Sequence, residues 1–360
     1  MALAPMADVT DAAFRRIIAK YSKSADASAV AKHQNIDIGR PQVGHNSHQN
    51  IDIGRHPFVM WTEFVSADGL VLAPEEGKKK LLADLMYSEL ERPIVAQFFS
   101  GKPEMMEKAA RLARELGFDG VDINMGCPDR SIEKQGAGAV HMKNPEHAKE
   151  IIAAAKQGAC GLPVSVKTRL GYNKDELDTW LPHLLETKPA AITIHARTRK
   201  EMSKVPAHWE RIARAVEIRN QCQGVALTLE RTLILGNGDT ADLADAGARV
   251  KASGADGAML GRAIFGNPWL FAPLHSRQRN TTIYGSVSLP EKLRVMVEHT
   301  KLFEELLPHK NFAIMKKHYK AYVTGFDGAS ALRTSLMEAP DAHTVERIVA
   351  GFLAKQASMV

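Results

Sequence analysis

The chain has 360 residues, 45% apolar and 24% charged, which is the balance of an ordinary globular protein with room for one large domain and a smaller one. No apolar run approaches the roughly 20 residues needed to cross a bilayer, and nothing at the N-terminus resembles a signal peptide, so neither a membrane span nor secretion is expected. Cys127, Cys160 and Cys222 have neither metal-ligand nor disulfide spacing, which points to a reducing, cytoplasmic compartment and no metal centre, while a net charge of +6 suits a polyanionic partner.

Eight short apolar runs are the predicted strands, at 2–6, 58–64, 93–99, 120–125, 164–170, 191–196, 232–237 and 257–262. Amphipathic stretches such as 102–116 and 145–158 lie between them. Strand and helix alternating eight times predict an α/β chain folded as a (β/α)8 TIM barrel over residues 1–275. A doubly wound sheet is the competing layout, but its GxGxxG turn after the first strand is missing. The chain reaches its first strand almost at once, and the missing lead-in is expected to loosen the barrel floor. Beyond the barrel, a polar stretch over 276–289 reads as a linker, and 290–360 reads as a small all-helical domain.

The octapeptide "HQNIDIGR" occurs twice, at 33–40 and 48–55. Two copies are too few for a solenoid. The segment of about 25–56 falls between the first helix and second strand, on the barrel face away from an active site. Lengthening such a loop costs only about 0.6 kcal/mol per doubling. A tolerated insertion is therefore expected, with a partner-binding loop as the alternative.

Residues able to meet a ligand collect where the strands end: Pro5 and Met6, Gln97, Asn124, Lys167, His195, Asn237-Gly238-Asp239, and Gly261-Arg262. Barrels of this kind build their active sites at that end. "GNGD" and the following "GR" bring backbone amides and an arginine to strands seven and eight, a common phosphate site. Lys167 near an apolar mouth implies a negative partner, or else a salt bridge to Asp122 or Asp239. His195 reads equally as a ligand contact or as a satisfied core histidine. In "NMGCPDR", Pro128 pushes Cys127 toward an extended backbone and Gly126 permits a tight turn before it. Such a thiol has a set direction and could serve as nucleophile or proton donor. Cys160 and Cys222 read as structural. In the helical tail, Phe312, Met315, Tyr319 and Tyr322 share one helical face. Lys317 and Lys320 fall on the other, with Lys316 near the border.

The segments "LAPMADVTDAAFR", "WTEFVSADGL", "VAQFFSGKPEMMEKAARLARELGFDGVDINMGCPDR", "VSVKTRLGY", "ITIHARTRKEMSK" and "LGNGD…GADGAMLGRAIFGNPWLF" together resemble the tRNA-dihydrouridine synthase family, from residue 2 to about 272. The tail "KKHYKAYVTGFDGASALR" resembles that family's helical RNA-binding domain. The resemblance implies FMN, with Pro5, Met6 and Ala7 against its ring and Gln97 and Lys167 at the polar edge. His195, Asn237, Gly238, Asp239, Gly261 and Arg262 would hold the ribityl chain and phosphate. It implies that Asn124 binds the target uracil and that reduced flavin gives a hydride to carbon 6 while Cys127 protonates carbon 5. It further implies NAD(P)H as reductant and tRNA gripped by Lys316, Lys317 and Lys320, while the sequence does not set the oligomeric state, for which a monomer is plausible. Two rivals are an FMN barrel enzyme acting on a free small molecule, in the manner of a dihydroorotate dehydrogenase, and a non-enzymatic RNA-binding factor.

Overall fold

The computed structural model describes residues 1–23, 58–225, 231–272 and 287–358. The duplicated segment and nearly all of the predicted linker lie outside the described residues. Every one of the eight predicted strands is present: β1 Ala2–Leu3, β2 Met60–Ser66, β3 Ile94–Phe99, β4 Gly120–Asn124, β5 Val164–Arg169, β6 Ala191–His195, β7 Leu233–Asn237 and β8 Gly257–Leu260. β1 is shorter than the apolar pattern suggests, because Pro5 has no N–H to continue the ladder.

The strands are all parallel, in the order β1-β8-β7-β6-β5-β4-β3-β2. A parallel bridge from Ala2 to Val59 closes the ring, where the Leu3 amide donates to the Val59 carbonyl at 2.9 Å. The chain is thus an eight-stranded TIM barrel with helices between successive strands, followed by C-terminal helices. Two of the barrel helices, Pro103–Glu115 and Pro145–Ala159, each open with a proline at the first turn, where its missing N–H costs nothing. They approach backbone to backbone at Gly158, where a Cβ would fall 2.0 Å from the Glu107 carbonyl oxygen. That contact braces the strand pair on either side of β4.

Register decides what the inside of the barrel holds. Residues paired across a parallel sheet face the same way, and alternate residues along a strand repeat that face. Gln97, Asp122 and Ser165 pair across β3, β4 and β5 and form one interior row. Asn124 and Lys167 form the next row toward the C-terminal end, and Arg169, His195 and Asn237 the row above that. The opposite side of the interior is apolar, with Ala2, Ala4, Trp61 and Met259 packed together. Polar candidates spread along the sequence are therefore stacked in rows on one wall.

The described residues form two compact units that do not follow chain order. One holds the barrel strands and runs through residues 1–7, 58–86 and 92–262. The other joins residues 8–23 and 87–91 to those from 263 onward. Its helices are Ala12–Ser22, Leu289–Leu306, Met315–Tyr322, Ala329–Glu338 and Ala342–Ala357. Asp11 caps the first of them by accepting from the Phe14 amide at 2.9 Å. The core of this unit includes Phe14, Ile17, Met296, Phe303 and Tyr322, with Phe14 stacked on the buried His299 ring at 4.8 Å. Among the described residues no helix is long and apolar enough to cross a membrane.

Arg15 and Glu91, both 0% exposed, meet at 2.7 Å inside this second unit. Arg15 also donates to the Thr10 carbonyl, and Glu91 accepts from the Ser88 amide and hydroxyl. Removing one partner of such a pair strands a buried charge. Glu91→Ala should therefore cost about 3–5 kcal/mol, read as a drop in the urea midpoint, whereas Glu91→Gln, which keeps an acceptor, should cost less.

Candidate active site

At the C-terminal ends of the strands lies a cavity of about 230 Å³. Of the residues expected there, Pro5, Met6, Lys167, His195, Asn237, Gly238, Asp239, Gly261 and Arg262 all line it. Ala7 does not line it; Ala4 takes the neighbouring place on the wall. Gln97 does not reach it either, because its row lies below that of Lys167. Arg197, Ser203, Thr240 and Met259 also line the cavity, none of them marked by the strand-end pattern. Arg197 could have been found, since it follows His195 by two residues at the exit of β6.

The cavity is built for negative charge. Three cations, Lys167, Arg197 and Arg262, line it against one carboxylate, Asp239. That carboxylate is already shared, since Arg197 Nη2 and Arg262 Nη2 donate to its two oxygens and the Ala207 amide donates to Oδ2 at 2.9 Å. Arg197 is 2% exposed and also donates through Nε to the Val205 carbonyl. Its Nη1 lies 3.1 Å from His195 Nε2, and a guanidinium can only donate, so Nε2 carries the lone pair. Burial holds His195 far below the ordinary imidazole range, and Arg169, Lys167, Arg197 and Arg262 push the same way. The ring is neutral at any physiological pH. The "GNGD" turn keeps this wall tight: Gly238 sits at φ +128°, and a Cβ there would fall 2.8 Å from Ala207 Cβ. At Gly261 a Cβ would meet the Met6 sulfur at 3.4 Å. Glycine at these two points leaves room beside a positively charged wall.

Cys127 lies beyond β4, directly opposite β8 in an eight-stranded ring. It is half-buried and packs against Phe99, Ile132 and Ala137, with Phe64 alongside, and is not part of the cavity wall. The Asn124 side chain sets its backbone, with Oδ1 accepting from the Gly126 amide at 3.1 Å and the Cys127 amide at 2.9 Å. Arg169 holds the same turn from the other side, donating to the Gly126 carbonyl at 2.8 Å. Burial pushes the Cys127 thiol above its ordinary pKa, so the sulfur is protonated at neutral pH. Cys160, in the left-handed cap of helix Pro145–Ala159, and Cys222 are exposed.

In the second unit, helix Met315–Tyr322 buries Met315, His318, Tyr319 and Tyr322. Lys316, Lys317 and Lys320 are exposed, with Lys317 Nζ 4.0 Å from the Asp8 carboxylate. Phe312 lies in the short helical turn before it and is only half-buried.

An eight-stranded barrel with an anion-seeking cavity and a protonated thiol at its C-terminal strand ends has the build of a (β/α)8 enzyme. The dihydrouridine synthase family model matches residues 2–357. A probable tRNA-dihydrouridine synthase 2 of Bacillus subtilis is 36% identical over 97% of this chain and 93% of its own length. A probable tRNA-dihydrouridine synthase of Staphylococcus aureus is 35% identical over 93% of this chain and 87% of its own. The chain belongs to the dihydrouridine synthase family. Among solved structures, morphinone reductase aligns at 12% identity and a TM-score of 0.46 over 75% of this chain and 83% of its own, too distant to bear on chemistry.

Beneath the cavity, Asp122 accepts from Gln97 Nε2 at 2.5 Å and from the Ser165 hydroxyl. Burial raises this carboxyl from 3.8 to about 6, against the opposing pull of those hydrogen bonds and of Lys167. Burial likewise lowers Lys167 to about 8, with Arg169 pushing the same way. An acid whose folded-state pKa lies above its unfolded value stabilises the fold below the unfolded pKa, and that contribution is lost as pH rises through the folded one. The stability difference between Asp122→Asn and the unsubstituted protein, from urea midpoints, should therefore move in the variant's favour from about pH 4 to about pH 6 and be level above about pH 7.

Proposed function

We propose that this chain reduces a uridine of tRNA to 5,6-dihydrouridine, with FMN in the cationic cavity, NAD(P)H as the ultimate reductant and Cys127 as proton donor. The observation that carries the reading is the pairing of a protonated, half-buried Cys127 at the end of β4 with a charge-unbalanced cavity between β5 and β8. Membership of the dihydrouridine synthase family supports the reaction itself.

The cavity residues fit a phosphorylated flavin. A phosphate monoester would meet Arg197, Arg262 and the turn at Gly238, and would offset a wall where three cations share one carboxylate. Pro5 and Met6 offer an apolar edge to a ring system, and Lys167 a positive charge beside it. Gln97 would act from below, through the Asp122 carboxylate that faces Lys167 across adjoining rows. Ala7, exposed and off the cavity wall, has no evident part in holding the ring.

When bound and reduced, FMN supplies a hydride for carbon 6 of the uracil. The chain's own residues do the rest. The Cys127 thiol gives its proton to carbon 5, and the thiolate left behind is reprotonated from solvent. Burial, by raising the thiol pKa, keeps the proton on the sulfur until a base is seated. Asn124 and Arg169 hold the turn on which the sulfur rides, so that thiol and hydride can address opposite faces of one planar base. Asn124 Nδ2 donates to Gln97 Oε1 at 3.4 Å, and its other amide hydrogen would serve the uracil. A uracil stacked within folded RNA cannot lie flat on a flavin, so the target nucleotide must be unstacked. Lys316, Lys317 and Lys320, solvent-facing on one helix, would grip phosphates while this happens, without reading sequence.

Purified protein, NAD(P)H and unmodified tRNA, with dihydrouridine measured by mass spectrometry, test the reading directly. Product from free uridine at the same rate as from tRNA would favour a small-molecule oxidoreductase instead. Cys127→Ala should lower the rate by at least about 100-fold while the bound flavin spectrum and its bleaching by NAD(P)H stay unchanged. Replacing Lys316, Lys317 and Lys320 together by Glu should raise the KM for tRNA about tenfold and flatten its salt dependence by two to three in log–log slope, with kcat nearly constant.

A further inference from the structure

Two imidazoles outside the cavity fasten the return leg of the cysteine loop. After Cys127 the chain runs through the short helix Arg130–Glu133 and comes back as the 3-10 segment Gly138–Lys143. That segment lies against the cysteine itself. The Ala139 amide donates to the Cys127 carbonyl at 2.9 Å, and a Cβ on Gly138 would fall 2.8 Å from that same oxygen. Any shift of the segment is therefore passed to Cys127 through its own carbonyl.

His141 sits in this segment, 2% exposed, with Nε2 3.1 Å from the Ser100 carbonyl just past β3. His147, in the first turn of the next helix, places its Nε2 2.8 Å from the Gly101 carbonyl. A carbonyl only accepts, so both rings carry hydrogen on Nε2. The two are not equivalent. His147 Nδ1 meets the Glu150 carboxylate at 2.9 Å in partial contact with solvent. His141 Nδ1 is buried with no hydrogen-bond partner among the described residues. Burying a ring nitrogen without a partner costs free energy, which the Nε2 bond to Ser100 helps to offset. The loops are also in backbone contact there, since a Cβ on Gly101 would fall 2.5 Å from the Gln135 carbonyl oxygen.

We propose that His141 is a positioning residue for Cys127, holding the Gly138–Lys143 segment to the Ser100 carbonyl and so setting how far the thiol projects over the barrel mouth. The catalytic consequence rests on the reading of Cys127 as proton donor; the structural consequence does not.

The test compares His141→Leu, which has no donor, with His141→Gln, whose amide N–H reaches about as far as Nε2. Alkylation of Cys127 by iodoacetamide, followed peptide by peptide to separate it from exposed Cys160 and Cys222, needs neither flavin nor RNA. His141→Leu should alkylate Cys127 about fivefold faster and reduce tRNA uridine about tenfold more slowly in kcat, with KM within about twofold, since small displacements of a reacting group cost rate rather than binding. His141→Gln should restore both to within about twofold of the unsubstituted protein. Should His141→Leu fail to fold, His141→Asn replaces it, its amide being too short to reach Ser100. Unchanged Cys127 alkylation in the donor-less variant, or equal defects in it and His141→Gln, would overturn the proposal. Dihydrouridine absent even with the unsubstituted protein would instead overturn the proposed reaction and leave the alkylation comparison to decide the role of His141.

Discussion

Closure of the barrel is the constraint on which the rest of this molecule depends. One short parallel bridge, from Ala2 to Val59, joins the first strand to the run-in of the second and turns a sheet into a ring. Once the ring is closed, register leaves no choice about which side chains point inward. Gln97, Asp122 and Ser165 must share one level, Asn124 and Lys167 the next, and Arg169, His195 and Asn237 the one above. A slip of one residue in any strand would send its polar set outward into the helices and an apolar set into the barrel.

That stacking produces an ordered electrostatic gradient. At the bottom is a carboxyl whose burial favours the neutral acid, above it a lysine whose burial weakens its hold on a proton, and at the mouth arginines sharing one aspartate. Asp122 and Lys167 are both perturbed mainly by desolvation, so their charges are poised rather than saturated. Such a column suits an incoming anion, since a phosphate arriving at the mouth would relieve Asp239 as the one carboxylate shared by Arg197 and Arg262. On the far side of the ring the environment inverts. Cys127 sits among Phe64, Phe99 and Ile132, where an apolar setting keeps a thiol neutral. One fold thereby offers a cationic cavity and a retained proton, the division of labour that the proposed reduction of a double bond would require.

Much of this was legible in the chain before any coordinates. Eight apolar runs and their spacing were sufficient for the barrel, and the strand-end rule selected nine residues that do share one cavity. Cys127 stood out because Gly126 and Pro128 flank it, and the loop is indeed held, by Asn124, Arg169 and the Gly138–Lys143 segment. Residues such as Arg197 and His141 escaped for a common reason. Arg197 lies just beyond a strand end, where only its spacing of two from His195 hints at it, and His141 lies fourteen residues past the cysteine, where neither periodicity nor local spacing marks it. They matter through bonds to Asp239 and Ser100, at sequence separations of 42 and 41.

What the sequence determined by itself was the list of elements and the chemistry available at their ends, because helix, strand and turn preferences act over a few neighbouring residues. Tertiary structure alone decided which of those groups see each other and in what state of protonation. Gln97 and Lys167 have the same place in the strand pattern, yet one is sealed a level below the cavity and the other lines it, because parallel strands are staggered in a closed ring. The compact units likewise unite the helix Ala12–Ser22 with helices nearly three hundred residues later, through a buried apolar face that finds its partner only when the chain has folded. Burial and long-range pairing are properties of the packed molecule, and no local pattern encodes them.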